Sequence, residues 1–314
     1  MSSPTASTRT IVVALLANVG IAISKFVAAA ITGSSAMLTE GFHSAVDSTN
    51  QLLLMWGRRQ AKKPPDRYHP FGYGRELYFW SFVVAVLVFA LGAGVSIYEG
   101  IIHLHYPHET VSPFVGYAVL LVAFALDGWS TIEAYREFKV TKGELGWIEA
   151  IRHSKDPAAF IVLLENAAAE AGVVTAAIGL FLAQWTGNPF YDGAASIVIG
   201  LILGVTALIL AYESKGLLIG EAADPEVVTG ICRIVCGQEG VVAAGEVRTV
   251  HSSPDQITAM LSVDFDDSIS AADVERIVCE IEAEASQHWP QVKRLYIRPR
   301  KGSLLRDKWD SGPC

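Results

Sequence analysis

Ionisable side chains sit inside two of the chain's long apolar runs: Glu40, His43 and Asp47 in one, Glu165 and Glu170 beside Asn166 in another. A charged group at bilayer depth costs about 2.5 to 3.5 kcal/mol on insertion scales, so such residues are functional candidates by default. On a helix His43 and Asp47 project from one face, about 40° apart and one turn from each other. That geometry can supply two ligands to one ion. Asn166 and Glu170 share the spacing, while Glu165 lies about 100° round the helix from Asn166. A neutral imidazole with carboxylates suits a borderline divalent cation, Zn²⁺ first, with Mn²⁺, Fe²⁺, Co²⁺ and Cd²⁺ as further candidates. No Cys or Met accompanies the pair, which argues against Cu(I). The alternative role, a hydrogen-bonded packing residue or a helix-end group at an interface, suits Glu40, Glu99, Asp127 and Glu133 better than His43 with Asp47.

The elements that must hold these groups are membrane helices. The chain has 314 residues, 51% of them hydrophobic and only 18% charged, against the roughly 25% charged usual in water-soluble domains. Six apolar runs, each long enough to span, cover Ile11 to Ile31, Ala36 to Gly57, Leu77 to Leu104, Pro113 to Ala134, Ala158 to Gln184 and Gly193 to Tyr212. Lipid leaves no partner for an unpaired backbone, so the runs are predicted to be helices. The connection after span two carries Arg58, Arg59, Lys62, Lys63, Arg67 and Arg75, and that after span four carries Arg136, Lys139, Lys142, Arg152 and Lys155; the alternate connections carry no Lys or Arg. The positive-inside rule then predicts a multi-pass integral membrane protein with both termini and the tail in the cytoplasm or its equivalent. The first run is too long for a cleavable signal and reads as a retained span. Residues 1–212 form the expected transmembrane transport domain and 213–314 a cytoplasmic domain.

The stretch SSAMLTEGFHSAVDSTNQLLL (Ser34 to Leu54), followed by DRYHPFGYGRE (Asp66 to Glu76), resembles the cation diffusion facilitator family of divalent-metal transporters, and SKGLLIGEAADPE (Ser214 to Glu226) resembles its zinc-transporting members. The resemblance implies a six-helix all-α membrane domain, a small cytoplasmic α+β domain of ferredoxin-like fold, a homodimer, and exchange of metal for protons. It implies metal ligation by His43 and Asp47. The family's second His-x-x-x-Asp, on span five, is not present: alignment through Gly172 puts its Asp on Asn166 and its His on Val162, and alignment on the acids selects Glu165 or Glu170. The expected site is therefore His43 and Asp47 with Glu165, Asn166 and Glu170. Asp66 and His69 match a secondary family metal site, with Tyr73 where a second His is common.

The tail from Glu213 carries 17 acids against 11 bases, so a basic nucleic-acid surface has no support. Its four cysteines form no disulfide framework. Helices near 224–236 and 270–287 and strands near 246–250, 256–265 and 294–298 predict a small α+β sheet domain. With His251 and His288 its only histidines, the tail reads as a dimerisation module. The outer segment His103 to Glu109 holds three histidines that can catch or release metal. The function read from the sequence is proton-coupled export of a divalent cation, most simply zinc, at a bacterial inner or plasma membrane, with metal and protons as cargo, lipid around it and no resident cofactor. His43 titrates near neutrality when unperturbed and must be neutral to ligate, so metal and proton compete. The rivals are a non-transporting metal sensor or scaffold and, more remotely, a membrane enzyme activating water at the metal; no nucleophile or cofactor motif supports the enzyme.

Overall fold

Gly33 closes α1 (Thr8–Thr32) in the left-handed region at φ 71°, where a glycine lacks the Cβ penalty, and α2 (Ser35–Ala61) begins two residues later. In this computed structural model, which describes residues 8–107, 113–143 and 145–302, contacts divide the chain into two units. The first is Met1–Gln60 with Glu76–Lys215; the second is Ala61–Arg75 with Gly216–Cys314. The loop after α2 thus groups with the tail, which a division along the chain at 212/213 does not express.

The first unit is helical. After α2 come α3 (Glu76–Leu87), a π-helical stretch (Val88–Gly94) and α4 (Val95–His105), which form one apolar run; then α5 (Pro113–Lys142), a short α6 (Trp147–His153), α7 (Pro157–Thr186) and α8 (Phe190–Ile219). The start of α7 is written in the sequence: the Asp156 side chain accepts from the Ala158 N–H and Pro157 occupies the first turn, where its missing N–H costs nothing. Among the described residues, four helices are long and apolar enough to cross a membrane, Glu76–His105, Phe114–Val140, Phe160–Thr186 and Phe190–Ile219, while α1 supplies a shorter apolar stretch, Asn18–Thr32. The polar face of α2, with Glu40, His43, Asp47 and Asn50, dilutes its hydropathy despite its 27 residues. Several helices outrun the apolar runs that predicted them, because backbone hydrogen bonding continues where apolarity stops; α5 reaches Lys142 and α8 reaches Ile219. The short α6 was not expected.

Helix α5 packs on α1 and α7, and α3 on α7, around Met37, Leu120, Val173, Leu180, Ile199 and Leu203. The small residues of α8 serve close packing: a Cβ at Gly200 would come within 3.1 Å of the Ala93 carbonyl oxygen. Ile23, Leu121, Ile178, Leu201 and Leu208 remain exposed, as lipid-facing positions do.

The second unit contains α9 (Pro225–Cys236), β1 (Val241–Ala244), β2 (Arg248–Ser253), β3 (Gln256–Phe265), α10 (Ala271–His288) and β4 (Val292–Pro299). The ten-residue β3 is the centre of a mixed sheet. β1 and β2 pair antiparallel with successive halves of it, Ala244 opposite Val263 and Arg248 opposite Met260, and β4 pairs parallel, Leu295 opposite Ala259. The parallel pairing requires a crossover, and α10 supplies it. Alternate residues Ile257, Ala259, Leu261 and Val263 are buried beneath Val227, Ile231 and Val235 of α9 and Ile277, Ile281 and Ala285 of α10. The short β1 escaped the sequence reading, since four residues carry little alternation. Cys236 and Cys279 are exposed free thiols; Cys314 lies outside the described residues.

Candidate metal centre

The polar stripe of α2 faces inward. His43 is 1% exposed and Asp47 only partly exposed, and His43 Nε2 stands 3.5 Å from Asp47 Oδ2. One turn on, Asn50 is fully buried and donates through Nδ2 to Glu165 Oε1 on α7 at 2.7 Å. Spacings of four and three residues keep His43, Asp47 and Asn50 on one face, and Asn50 is the link that carries that face to α7. Among the described residues both ring nitrogens of His43, Asp47 Oδ1 and Asn50 Oδ1 are buried without a hydrogen-bond partner. Nearly all buried polar atoms in folded proteins are paired. A run of unpaired N and O atoms on one helix face, next to a buried carboxylate, is therefore an exception that calls for a reason.

The span-five candidates separate. Glu165 is buried and joined to the α2 stripe through Asn50. Asn166 instead donates to Ser130 Oγ of α5 at 3.0 Å. Glu170 faces α5, where a Cβ added at Gly128 would lie 3.0 Å from its Oε1. Among the described residues no three His, Cys, Asp or Glu side chains are gathered round one point as a preformed site. The arrangement is a His43–Asp47 pair with Glu165 one amide away.

Two participants escaped the sequence reading. Asn50 continues the stripe at the next helical position, a signal that periodicity carries. Lys25 of α1 is the other: a lone cation in an apolar run, fully buried, with its Nζ 2.9 Å from Glu40 Oε2 and 3.7 Å from Asp127 Oδ2. Glu40 and Asp127, given above a packing or interfacial role, are its partners.

The secondary pair is arranged differently. Asp66 and His69 are exposed, with Asp66 Oδ1 accepting from the Tyr68 and His69 N–H groups and Oδ2 from the Tyr73 hydroxyl at 2.7 Å. The Tyr73 hydroxyl, and then the His69 N–H, hold the Asp66 carboxyl below its ordinary range. The carboxylate folds its own turn. In the segment expected to handle metal on the outer side, His103 is buried on α4, 3.8 Å from Asp192 Oδ2, and Asp192 also accepts from Ser34 Oγ and the Ser35 N–H at 2.6 Å each. His108 and Glu109 lie outside the described residues. In the tail His251 is buried, its Nδ1 3.2 Å from the Ser253 carbonyl oxygen, and His288 is exposed on α10.

The cation efflux transmembrane domain family matches residues 11–219. The chain is 34% identical over 245 residues to a Xenopus laevis protein named proton-coupled zinc antiporter SLC30A9, mitochondrial, covering 77% of this chain and 44% of that one. It is 30% identical over 261 residues to metal tolerance protein C4 of Arabidopsis thaliana, covering 82% and 57%. It is 24% identical over 260 residues to the cation-efflux pump FieF of Pectobacterium atrosepticum, covering 82% and 81%. The chain thus spans about half the length of the first two. A match to that family over two thirds of the sequence, on a membrane protein, places the chain among transporters rather than enzymes, and it belongs to the cation diffusion facilitator family.

Proposed function

We propose that the chain is a proton-coupled antiporter that exports divalent cations, zinc foremost, from the cytoplasm through a six-helix membrane domain. The observation that carries the reading is the stripe of buried, unpartnered N and O atoms on His43, Asp47 and Asn50, set against Glu165. His43 supplies an imidazole and Asp47 and Glu165 two charges, which together neutralise a dication at membrane depth, where an uncompensated charge is costly. Asn50 Oδ1 completes a four-donor N/O set of the kind zinc accepts. Protons leave when metal binds, because ligation requires deprotonated donors. The name of the Xenopus relative supports both zinc and proton coupling. The tail, a sheet with Met260 and Tyr296 exposed on it, is read as a ferredoxin-like dimerisation module on the cytoplasmic side.

A second reading, a non-transporting metal sensor or scaffold, draws on the absence among the described residues of a preformed three-ligand cluster. Purified protein in sealed vesicles separates the two. Zinc flux that dissipates an imposed pH gradient supports the antiporter, and a panel of zinc, manganese, iron, cobalt and cadmium orders its substrates. Binding without flux supports the sensor.

A further inference from the structure

Lys25 is a fully buried ammonium in a membrane helix, and its surroundings are those of a bound cation. Its Nζ donates to Glu40 Oε2 and Ser44 Oγ of α2, each at 2.9 Å, and lies 3.7 Å from Asp127 Oδ2 of α5. Carboxylate and hydroxyl oxygens converging from two helices are ligands for a hard or borderline dication, and here a side chain of the protein fills the place. The place adjoins the candidate metal centre: Ser44 follows His43 in sequence, and Glu40 lies one turn before it on the same face of α2. Glu170 is a further acid on this side, its buried Oε1 turned toward Gly128, the neighbour of Asp127. The carboxylates here outnumber the single ammonium. Without Lys25, Glu40 and Asp127 would face each other uncompensated within a turn of His43.

We propose that Lys25 is a positioning residue of the transport site: its ammonium permanently fills the cation place formed by Glu40, Ser44 and Asp127, and so confines the bound metal to the His43, Asp47 and Glu165 side. This rests on the metal-transport reading of that site. It assigns α1 a part in metal handling although α1 contributes no ligand.

The test reads zinc stoichiometry by calorimetry on the full-length chain in detergent, with flux in vesicles as a second readout. Lys25→Met is expected to bind one more zinc per chain than the wild type and to lose flux, because metal lodges between Glu40 and Asp127. Adding Glu40→Gln to that variant is expected to return the stoichiometry to the wild-type value and restore flux, and Lys25→Arg to keep the wild-type stoichiometry throughout. If Lys25→Met does not assemble, Lys25→Gln, which keeps hydrogen-bonding capacity toward Glu40 and Ser44, opens the same place and gives the same reading. Wild-type stoichiometry in a folded Lys25→Met or Lys25→Gln overturns the proposal, as does a double variant that still binds the extra zinc. A wild type that binds zinc but carries none counts against the transport reading alone, since the stoichiometries still decide the role of Lys25.

Discussion

Two aspartate–histidine pairs at turn or helical spacing, Asp66 with His69 and His43 with Asp47, meet opposite fates. Asp66 and His69 stand in an exposed loop, where the Asp66 carboxylate accepts three hydrogen bonds from its own turn. His43 and Asp47 stand on a buried helix face, where two ring nitrogens and a carboxylate oxygen have no hydrogen-bond partner among the described residues. The residue types are the same; the accounting of lone pairs is opposite. In water an unpaired oxygen costs little because solvent completes it, whereas inside a membrane domain it costs several kcal/mol and persists only for a reason. The saturated carboxylate in water holds its own turn, and the unsaturated one at depth is the observation on which the proposed metal site rests.

The sharpest way to break this contrast is at Asp47. Asp47→Ala removes a charged ligand while leaving the helix apolar enough to insert, and zinc flux in vesicles is expected to fall about 100-fold or more, in keeping with the 3 to 5 kcal/mol lost when one partner of a buried charge pair is deleted. Wild-type flux from Asp47→Ala would remove α2 as the site. His43→Ala is expected to lose flux as well, with any remaining activity no longer varying with pH near neutrality; a surviving pH dependence would exclude His43 as the proton-coupled ligand.

The next effect divides the span-five acids. Because Glu165 touches the α2 stripe through Asn50 while Glu170 faces α5, Glu165→Gln is expected to weaken zinc binding about 10- to 100-fold, and Glu170→Gln much less. Calorimetry on both variants decides it, and the reverse order would move the ion toward α5.

At the exposed pair the effects are small. Tyr73→Phe is expected to let the Asp66 pKa rise toward its ordinary value, measured by NMR titration, because the largest cause of its depression is the Tyr73 hydroxyl. A carboxyl whose folded pKa is depressed lends stability above its unfolded pKa and loses it as pH falls through the folded value, so the wild-type turn should loosen only in acid below the ordinary carboxylate range, and the variant's turn should have less to lose. Zinc flux in Tyr73→Phe should stay within about twofold of wild type, as expected for an exposed electrostatic contact; a large loss would return Asp66 and His69 to the transport path. Smallest of all, Asp156→Ala removes the N-cap of α7 and should cost about 1 kcal/mol in denaturation experiments without changing the zinc affinity of a folded sample.

Much of the molecule is legible in one dimension. Apolar run length located the long helices, although α5 and α8 continue beyond it to Lys142 and Ile219, and the alternating residues of β3 located the central strand, because burial on one face imposes period 3.6 or 2 on the sequence itself. That His43 and Asp47 share a face was legible for the same reason, since both side chains lie on one helix and spacing decides it. What only the tertiary structure decided is which helix meets which. Nothing in the local pattern says that Asn50 reaches Glu165 rather than Asn166 or Glu170, that the loop 61–75 packs with the tail, or that a lone lysine at position 25 meets Glu40 and Asp127. The pairings of Lys25 with Glu40 and of Asn50 with Glu165 join residues 15 and 115 positions apart, and such meetings are set by packing between helices, which no single helix records.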